Sequence, residues 1–144
     1  MISTAPRSVL GFDFGLKRIG LATGQIITGT ASPLTTLQAV NQSPDWSGIE
    51  KHIRQWDPDA LIVGIPYLLD GGETDITRAA RNFSRELERR FELPVFTVDE
   101  SLSSFEAEQQ LRQDTKIDKH NKHEIDKMAA AIIVQSWLDS QSER

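Results

Sequence analysis

The fold is decided by one stretch near the start of the chain, Val9-Leu-Gly-Phe-Asp-Phe-Gly-Leu-Lys-Arg-Ile-Gly-Leu-Ala22. It contains two short apolar runs, joined by a segment that holds Gly15 and two adjacent cations, Lys17 and Arg18. Runs this short, bounded by glycines, predict two buried strands joined as a hairpin. The first strand ends on Asp13, and a carboxylate in that position is costly unless it is paired or binds a cation. Asp13 is therefore the first candidate functional residue.

Length and composition are typical of one globular domain covering residues 1–144, with 38% hydrophobic and 26% charged residues. No apolar stretch reaches the roughly 18 residues that span a bilayer, and the N-terminus lacks the apolar core of a signal peptide. The absence of cysteine excludes disulfides and thiolate metal sites. We therefore expect a cytoplasmic protein that does not associate with membranes.

The charge balance argues mildly against binding nucleic acid by overall charge, because the net charge is -5. Two local clusters of cations remain as candidate surfaces. The first contains arginines only: Arg78, Arg81, Arg85, Arg89 and Arg90. The second contains lysines: Lys116, Lys119, Lys122 and Lys127. Charge alone favours the simpler interpretation, which is a solvated helix surface for both.

The remaining apolar patterns predict alternating strands and helices. A proline at position 33 indicates that Thr28–Leu37 is an edge strand or contains the end of one. The predicted elements that follow are a helix from Trp46 to Trp56, a strand at Ala60–Ile65, a helix with the stripe Ile76, Ala80, Phe83 and Leu87, a strand at Val95–Val98, a helix starting near Ser103 or Ser104, and a last helix starting at Asn121. This order predicts an α/β fold with a mixed sheet.

The predicted apolar face of the last helix, its buried side, contains Ile125, Met128, Ala129, Ile132 and Ser136, with Trp137 adjoining. Asp126 lies one step off that face, in line with Ala129, Ala130 and Ile133. Small residues at 129–131 would let this helix approach the sheet closely.

Three acids stand at unusual places: Asp13 after the first strand, Glu100 after the last strand, and Asp126 in the last helix. Parallel strands of an α/β sheet end at one edge, where ligands usually bind. Three converging carboxylates repel one another unless a cation lies between them, and all-oxygen ligation suits Mg²⁺ or Mn²⁺. Two such ions about 4 Å apart stabilise the attacking and leaving oxygens in phosphodiester cleavage.

Each acid also has a purely structural explanation, as a turn ligand, a strand-end acid or a favourable charge near the start of a helix. Asp99 adjoins Glu100, but alternation along a strand points the two side chains to opposite faces. Only one of them can therefore join Asp13.

Four ordered motifs resemble the YqgF (RuvX-type) family, nucleases for pre-16S rRNA that are related to Holliday junction resolvases. The motifs are Gly11-Phe-Asp-Phe-Gly-Leu-Lys-Arg-Ile-Gly-Leu-Ala22, Val63-Gly-Ile-Pro66 with Gly71 and Gly72, Val98-Asp-Glu-Ser-Leu-Ser-Ser104, and Ile125-Asp-Lys-Met-Ala-Ala130. Together they cover nearly the whole chain. One position departs from the pattern, because Ser101 stands where the family motif usually has an arginine, a good phosphate ligand.

The resemblance implies a ribonuclease H-like fold, in which helices flank a five-stranded mixed sheet. It implies metal-dependent cleavage of nucleic acid with Mg²⁺ or Mn²⁺, and a role in trimming the 16S rRNA precursor. Asp13, Glu100 and Asp126 would be both the catalytic residues and the metal ligands. Lys17 and Arg18 would contact the scissile phosphate or one near it.

The resemblance also implies partners: an rRNA precursor or branched DNA, and ribosomal particles, bound by a monomer or weak homodimer. Three alternatives stay open. The first is a Holliday junction resolvase, and the second is a non-catalytic nucleic-acid-binding module that uses the arginine helix. The third is an ATP-dependent kinase or chaperone of the actin-like type, whose phosphate-binding hairpin also begins with Asp-x-Gly. Closing over a nucleotide takes two such subdomains, and the length of this chain fits only one, which argues against it.

Overall fold

The structure, a computed structural model, describes residues 6–102 and 119–142. Five strands are present in this part of the chain: β1 (Ser8–Asp13), β2 (Arg18–Gln25), β3 (Thr30–Gln38), β4 (Ala60–Leu68) and β5 (Val95–Leu102). Its helices are α1 (Trp46–Trp56), α2 (Asp75–Phe91) and α3 (Lys119–Ser142). The helix predicted near Ser103 lies outside the described residues. None of the helices in these ranges is long and apolar enough to cross a membrane.

The strands form one sheet in the order β3-β2-β1-β4-β5. β1 pairs antiparallel with β2, and β2 pairs antiparallel with β3. β1 pairs in parallel with β4, and β4 in parallel with β5. The predicted five-stranded mixed sheet, an antiparallel meander followed by parallel strands, is confirmed. β1 is central, which places Asp13 in the middle of one sheet edge.

Helices cover both faces of the sheet. α1 and α2 pack on one face, where Phe12, Ile49 and Phe83 belong to the larger apolar core. α3 packs on the other face, where Val9, Ile62 and Val134 belong to a second core. Since strand residues alternate between faces, Asp13 points to the same side as Val9, the α3 side.

The prediction for the buried face of α3 is wrong. Ile125, Met128 and Ile132 are at least half exposed. The side chains of α3 that pack on the sheet are instead Ala130, Ile133, Val134, Trp137 and Leu138. Glycines on the sheet decide this orientation: a Cβ on Gly11 would lie 2.1 Å from Cγ2 of Val134. The buried face is therefore the one that fits against these glycines, and it is itself fully apolar.

Two further boundaries differ from the sequence prediction. β5 continues to Leu102, so Glu100 lies inside the strand, because β4 continues past Pro66 and pairs Pro66 with Glu100. Proline has no backbone N–H to donate to a neighbouring strand. Pro66 is tolerated because β1 pairs with β4 only as far as Val63, so that ladder needs no hydrogen bond from position 66. α3 begins at Lys119, so Asn121 lies within the helix and is not its cap.

The edge position of β3 is confirmed. The register between β2 and β3 shifts where Leu21 pairs with Thr35 and Ala22 with Pro33, which leaves Leu34 as the extra residue of a bulge. A proline and a bulge are both tolerated at an edge strand because one side of its ladder is open.

Candidate active site

Asp13 is the last residue of β1, and its neighbours across the sheet are both glycines. Gly20 is its register partner on β2. Gly64 lies beside it on β4, one residue beyond the registered pair Phe12–Val63. The Asp13 side chain is partly buried on the α3 side of the sheet. It therefore stands between two positions that have no side chains of their own.

The space above Gly64 is filled by Glu100. A Cβ built on Gly64 would lie 2.5 Å from Oε1 of Glu100 and 2.5 Å from Cδ1 of Ile133. Glu100 thus reaches from β5 across β4 toward Asp13, even though β1 and β5 are not adjacent strands. The structure brings Asp13 and Glu100 together, and it turns Asp99 to the opposite face.

The space above Gly20 is filled by the backbone of α3. A Cβ on Gly20 would lie 2.0 Å from the carbonyl oxygen of Asp126. No side chain can be accommodated at that distance, because a backbone atom of a packed helix cannot rotate away. Gly20 therefore sets how closely α3 approaches the sheet, and it places Asp126 beside Asp13.

The carboxylate of Asp126 is bound by Arg18. Nε of Arg18 donates a hydrogen bond to Oδ2 of Asp126 over 2.9 Å, and the two side chains are only 14% and 20% exposed. Charge-assisted hydrogen bonds of this kind are among the stronger ones in proteins. Arg18, at the start of β2, therefore ties the hairpin to the last helix.

The site is strongly acidic. Burial raises the pKa of Asp13 well above its usual value, and the carboxylates of Glu100 and Asp126 raise that pKa further. Burial also raises the pKa of Glu100 to about 7. Among the described residues, neither Asp13 nor Glu100 forms an ion pair. The two carboxylates lack a compensating positive charge, which is the situation that a bound cation would relieve.

The side chains at the site suit a hard divalent cation in chemistry, since all three acids offer oxygen ligands. Within residues 6–102 and 119–142, no three His, Asp or Glu side chains are close enough together to form a complete metal site. The carboxylates of Asp13 and Glu100 lie close together, and the carboxylate of Asp126 accepts a hydrogen bond from Arg18. A metal held by all three would require Asp126 to contact it alongside or instead of Arg18.

The second predicted cation, Lys17, is exposed in the hairpin loop beside Arg18. Its backbone carbonyl accepts a hydrogen bond from the amide of Ala39, which joins the β1–β2 loop to the end of β3. Lys17 and Arg18 thus lie at the same sheet edge as Asp13.

The sequence interpretation missed the two glycines that make this arrangement possible. Gly20 and Gly64 appeared only as residues that bound or interrupt strands. The available signal was their position: each lies in an apolar strand, where glycine is unfavourable and often marks a close approach of another group. Which group approaches depends on the packing of α3 and β5.

The arginine helix offers little free charge. Arg81 makes a two-point ion pair with Glu73 and also donates to the hydroxyl of Tyr67. The remaining arginines of α2 bond to neighbours on the same helix: Arg78 to Asp75, Arg85 to Asn82, and Arg89 and Arg90 to Glu86. These contacts support the simpler interpretation of the arginine cluster, a solvated and largely neutralised helix surface.

Comparison with known proteins identifies close relatives. The model of the RuvX family, described as Holliday junction resolvase, matches residues 7–140. A Legionella pneumophila (strain Paris) protein named "Putative pre-16S rRNA nuclease" is 50% identical over 139 residues, which are 96% of this chain and 99% of that protein. A Pseudomonas putida protein of the same name is 43% identical over 137 residues, 94% of this chain and 97% of that protein.

A solved structure supports the fold. RuvC from Thermus thermophilus, solved in complex with a Holliday junction substrate, superposes with a TM-score of 0.53. The match covers 94% of this chain and 95% of that one, at 13% identity. At this identity the likeness concerns the fold alone, and it confirms the predicted ribonuclease H-like architecture.

Proposed function

Since the chain belongs to the RuvX family of nucleases, we propose that it hydrolyses phosphodiester bonds with Mg²⁺ or Mn²⁺ and that its substrate is the 5′ end of pre-16S rRNA. One observation carries the proposal: the carboxylate of Glu100 lies over Gly64 and beside Asp13. Two partly buried acids side by side at one end of the strands are unfavourable in a purely structural role. The choice of pre-16S rRNA as the substrate rests on the name that the relatives carry.

Asp13 and Glu100 would hold the cation, and Asp126 would complete the ligand set. A bound divalent cation would supply positive charge for the attacking and leaving oxygens of the phosphodiester. Arg18 orients Asp126 through its hydrogen bond to Oδ2. Lys17 and Arg18, at the same edge, offer positive charge to the substrate phosphates.

The location and the partners of the chain follow from this substrate. We place the protein in the cytoplasm, acting on precursor rRNA within ribosomal particles, as a monomer or weak homodimer. A four-way DNA junction should be tested as a second substrate in the same experiment, because the family model is described as Holliday junction resolvase.

The experiment is cleavage of an RNA that spans the 5′ boundary of 16S rRNA in its precursor, with Mn²⁺, with Mg²⁺ and with EDTA. Asp13→Asn removes one charge at the site and keeps the side-chain shape. Asp57→Asn is the matched control, because Asp57 is an exposed residue at the end of α1, at φ 45°, a conformation that asparagine adopts readily.

We expect cation-dependent cleavage by the wild type and by Asp57→Asn, and a loss of at least 100-fold in Asp13→Asn. Equal cleavage by Asp13→Asn and wild type would overturn the catalytic assignment. Cleavage of a four-way DNA junction but not of the RNA would establish the resolvase alternative. Binding without cleavage by all three proteins would establish the binding module.

A further inference from the structure

The guanidinium of Arg18 has two further nitrogens besides the one that binds Asp126. Only its Nε is engaged with that carboxylate. Among the described residues, no acceptor is hydrogen-bonded to its two terminal nitrogens, and Arg18 lines an open groove next to the site. One guanidinium can therefore orient a catalytic acid with one nitrogen and contact a substrate with the others.

The groove lies between the start of β2 and the end of β3, and we call it the β2–β3 groove. It has a volume of about 580 Å³ and is lined by Leu16, Lys17, Arg18, Gln38, Ala39 and Gln42. Two of these six side chains are cationic, two are amides, and none is acidic. Cations and amides are the side chains that contact phosphate and sugar in protein–nucleic acid complexes.

A tight turn forms the outer wall of the groove. Val40 and Ser43 form an antiparallel bridge, and the two residues between them, Asn41 and Gln42, have φ of 52° and 66°. Left-handed backbone costs a non-glycine residue about 1 kcal/mol or more, so the turn is held by its surroundings. The hydrogen bond from Ala39 to Lys17 ties this wall to the hairpin loop. The groove is thus formed before any ligand binds.

The opposite side of the site is unsuited to phosphate. A second open pocket there is lined by Tyr67, Leu68, Leu69, Gly71, Asp99, Glu100 and Ser101. It contains two acids and no cation, so a polyanion is repelled from it. The described linings of these two pockets therefore differ in charge, and of the two it is the β2–β3 groove that attracts a phosphate backbone.

We propose that one strand of the nucleic-acid substrate leaves the catalytic acids through the β2–β3 groove. Its phosphates contact Lys17 and Arg18, and the amides of Gln38 and Gln42 donate to phosphate or sugar oxygens. This inference rests on the proposed function, because it gives the substrate of that site its path. Binding to the groove is measured without cleavage, so the two can fail separately.

The first test introduces a negative charge into the groove with Gln42→Glu. The control is Gln25→Glu, which makes the same charge change at the other exposed end of β2, seven residues or about 23 Å from Arg18. Affinity for a fluorescein-labelled single-stranded RNA of twelve nucleotides is measured by anisotropy in EDTA. We expect Gln42→Glu to weaken binding about five- to tenfold and to reduce its salt dependence, with Gln25→Glu matching the wild type.

The second test uses the absence of cysteine from the chain. Gln42→Cys and Gln25→Cys each create one thiol, and the RNA carries a bromoacetamide on one backbone phosphorothioate. The thiolate displaces bromide and forms a thioether, with bromide and a proton released. We expect an RNA adduct with Gln42→Cys and none with Gln25→Cys.

These outcomes separate the groove from the activity. Suppose that the wild type binds and cleaves RNA, that Gln42→Glu binds it equally well, and that Gln42→Cys forms no adduct. The proposed path through the groove is then wrong, and the nuclease assignment stands. If Gln42→Cys reacts but wild type cleaves nothing with Mn²⁺ or Mg²⁺, the groove is supported and the proposed activity fails. Equal losses of affinity in both glutamate variants would show a general charge effect and would also overturn the groove.

Discussion

The carboxylate of Glu100 occupies the place where a side chain on Gly64 would be, 2.5 Å from the position of its Cβ. Glycine at this point of β4 is what lets an acid on the edge strand reach an acid on the central strand. The pairing of Asp13 with Glu100 therefore depends on a residue that has no functional group.

Gly64→Ala should abolish nuclease activity without touching an acid. The new methyl group meets Oε1 of Glu100 and Cδ1 of Ile133, so the carboxylate must move away from Asp13. Both atoms are the ends of flexible side chains that can shift, so the loss of unfolding free energy should lie near the low end for overpacking, about 1 kcal/mol. Cleavage assays and urea denaturation measure the two effects.

Ile133→Val provides the control for that variant. It removes Cδ1 and so should restore part of the stability of Gly64→Ala, while activity stays lost because Glu100 remains displaced. Recovery of activity in the double variant would show that Ile133, and not Glu100, was the group that mattered.

Arg18→Gln should destabilise the protein by about 2 kcal/mol, because it leaves the Asp126 carboxylate partly buried without its donor. Arg54→Gln is the matched control: its partner Glu50 is 3.4 Å away and both side chains are more than half exposed. Exposed pairs contribute at most about 1 kcal/mol. A double-mutant cycle with Asp126→Asn isolates the interaction, and a coupling energy near zero would contradict the positioning role of Arg18.

The cation-free protein should lose stability as the pH rises from about 4.5 to 7. Burial raises the pKa of Glu100 from 4.5 to about 7, so the folded state binds this proton more tightly than the unfolded state does. The contribution is fully present below pH 4.5 and is lost as the pH rises through the folded-state pKa. One such shift corresponds to about 3 kcal/mol. Denaturant titrations in EDTA at several pH values measure it. Glu100→Gln should reduce the slope and leave the part that is due to Asp13, whose pKa burial also raises.

Divalent cations should reverse this loss. A cation that binds only the folded state at a hundred times its Kd adds about 2.7 kcal/mol at neutral pH. We expect Mn²⁺ to raise the Tm of wild type and Asp57→Asn by several degrees, and EDTA to reverse the shift. An equal Mn²⁺ shift in Asp13→Asn would place the cation elsewhere on the protein.

The sequence was sufficient for elements whose signals are local. The end of α1 is one example. Its C-cap residue, Asp57, adopts a left-handed conformation, and the next residue is Pro58, which cannot continue a helix. The edge position of β3 followed from Pro33. These signals act through backbone conformation or a missing N–H group, and they need no knowledge of the tertiary structure.

The buried face of α3 also had a local signal, which the prediction missed. Ala130, Ile133, Val134, Trp137 and Leu138 recur at helical spacing, as well as the exposed Ile125 and Ile132. The partner of Arg18, in contrast, depended on a distant contact. Arg18 was expected at a phosphate, and the structure engages it with Asp126, 108 residues away. Such pairings follow from how the helix docks.

The long separation in sequence between Arg18 and Asp126 has a consequence for synthesis of the chain on the ribosome. The hairpin that holds Asp13 and Arg18 is made well before Asp126, which follows Arg18 by 108 residues, and chains emerge at only about 5–20 residues per second. A growing chain therefore holds an incomplete set of acids for several seconds. A nuclease organised in this way acquires its full site only after the helix that carries Asp126 has been made.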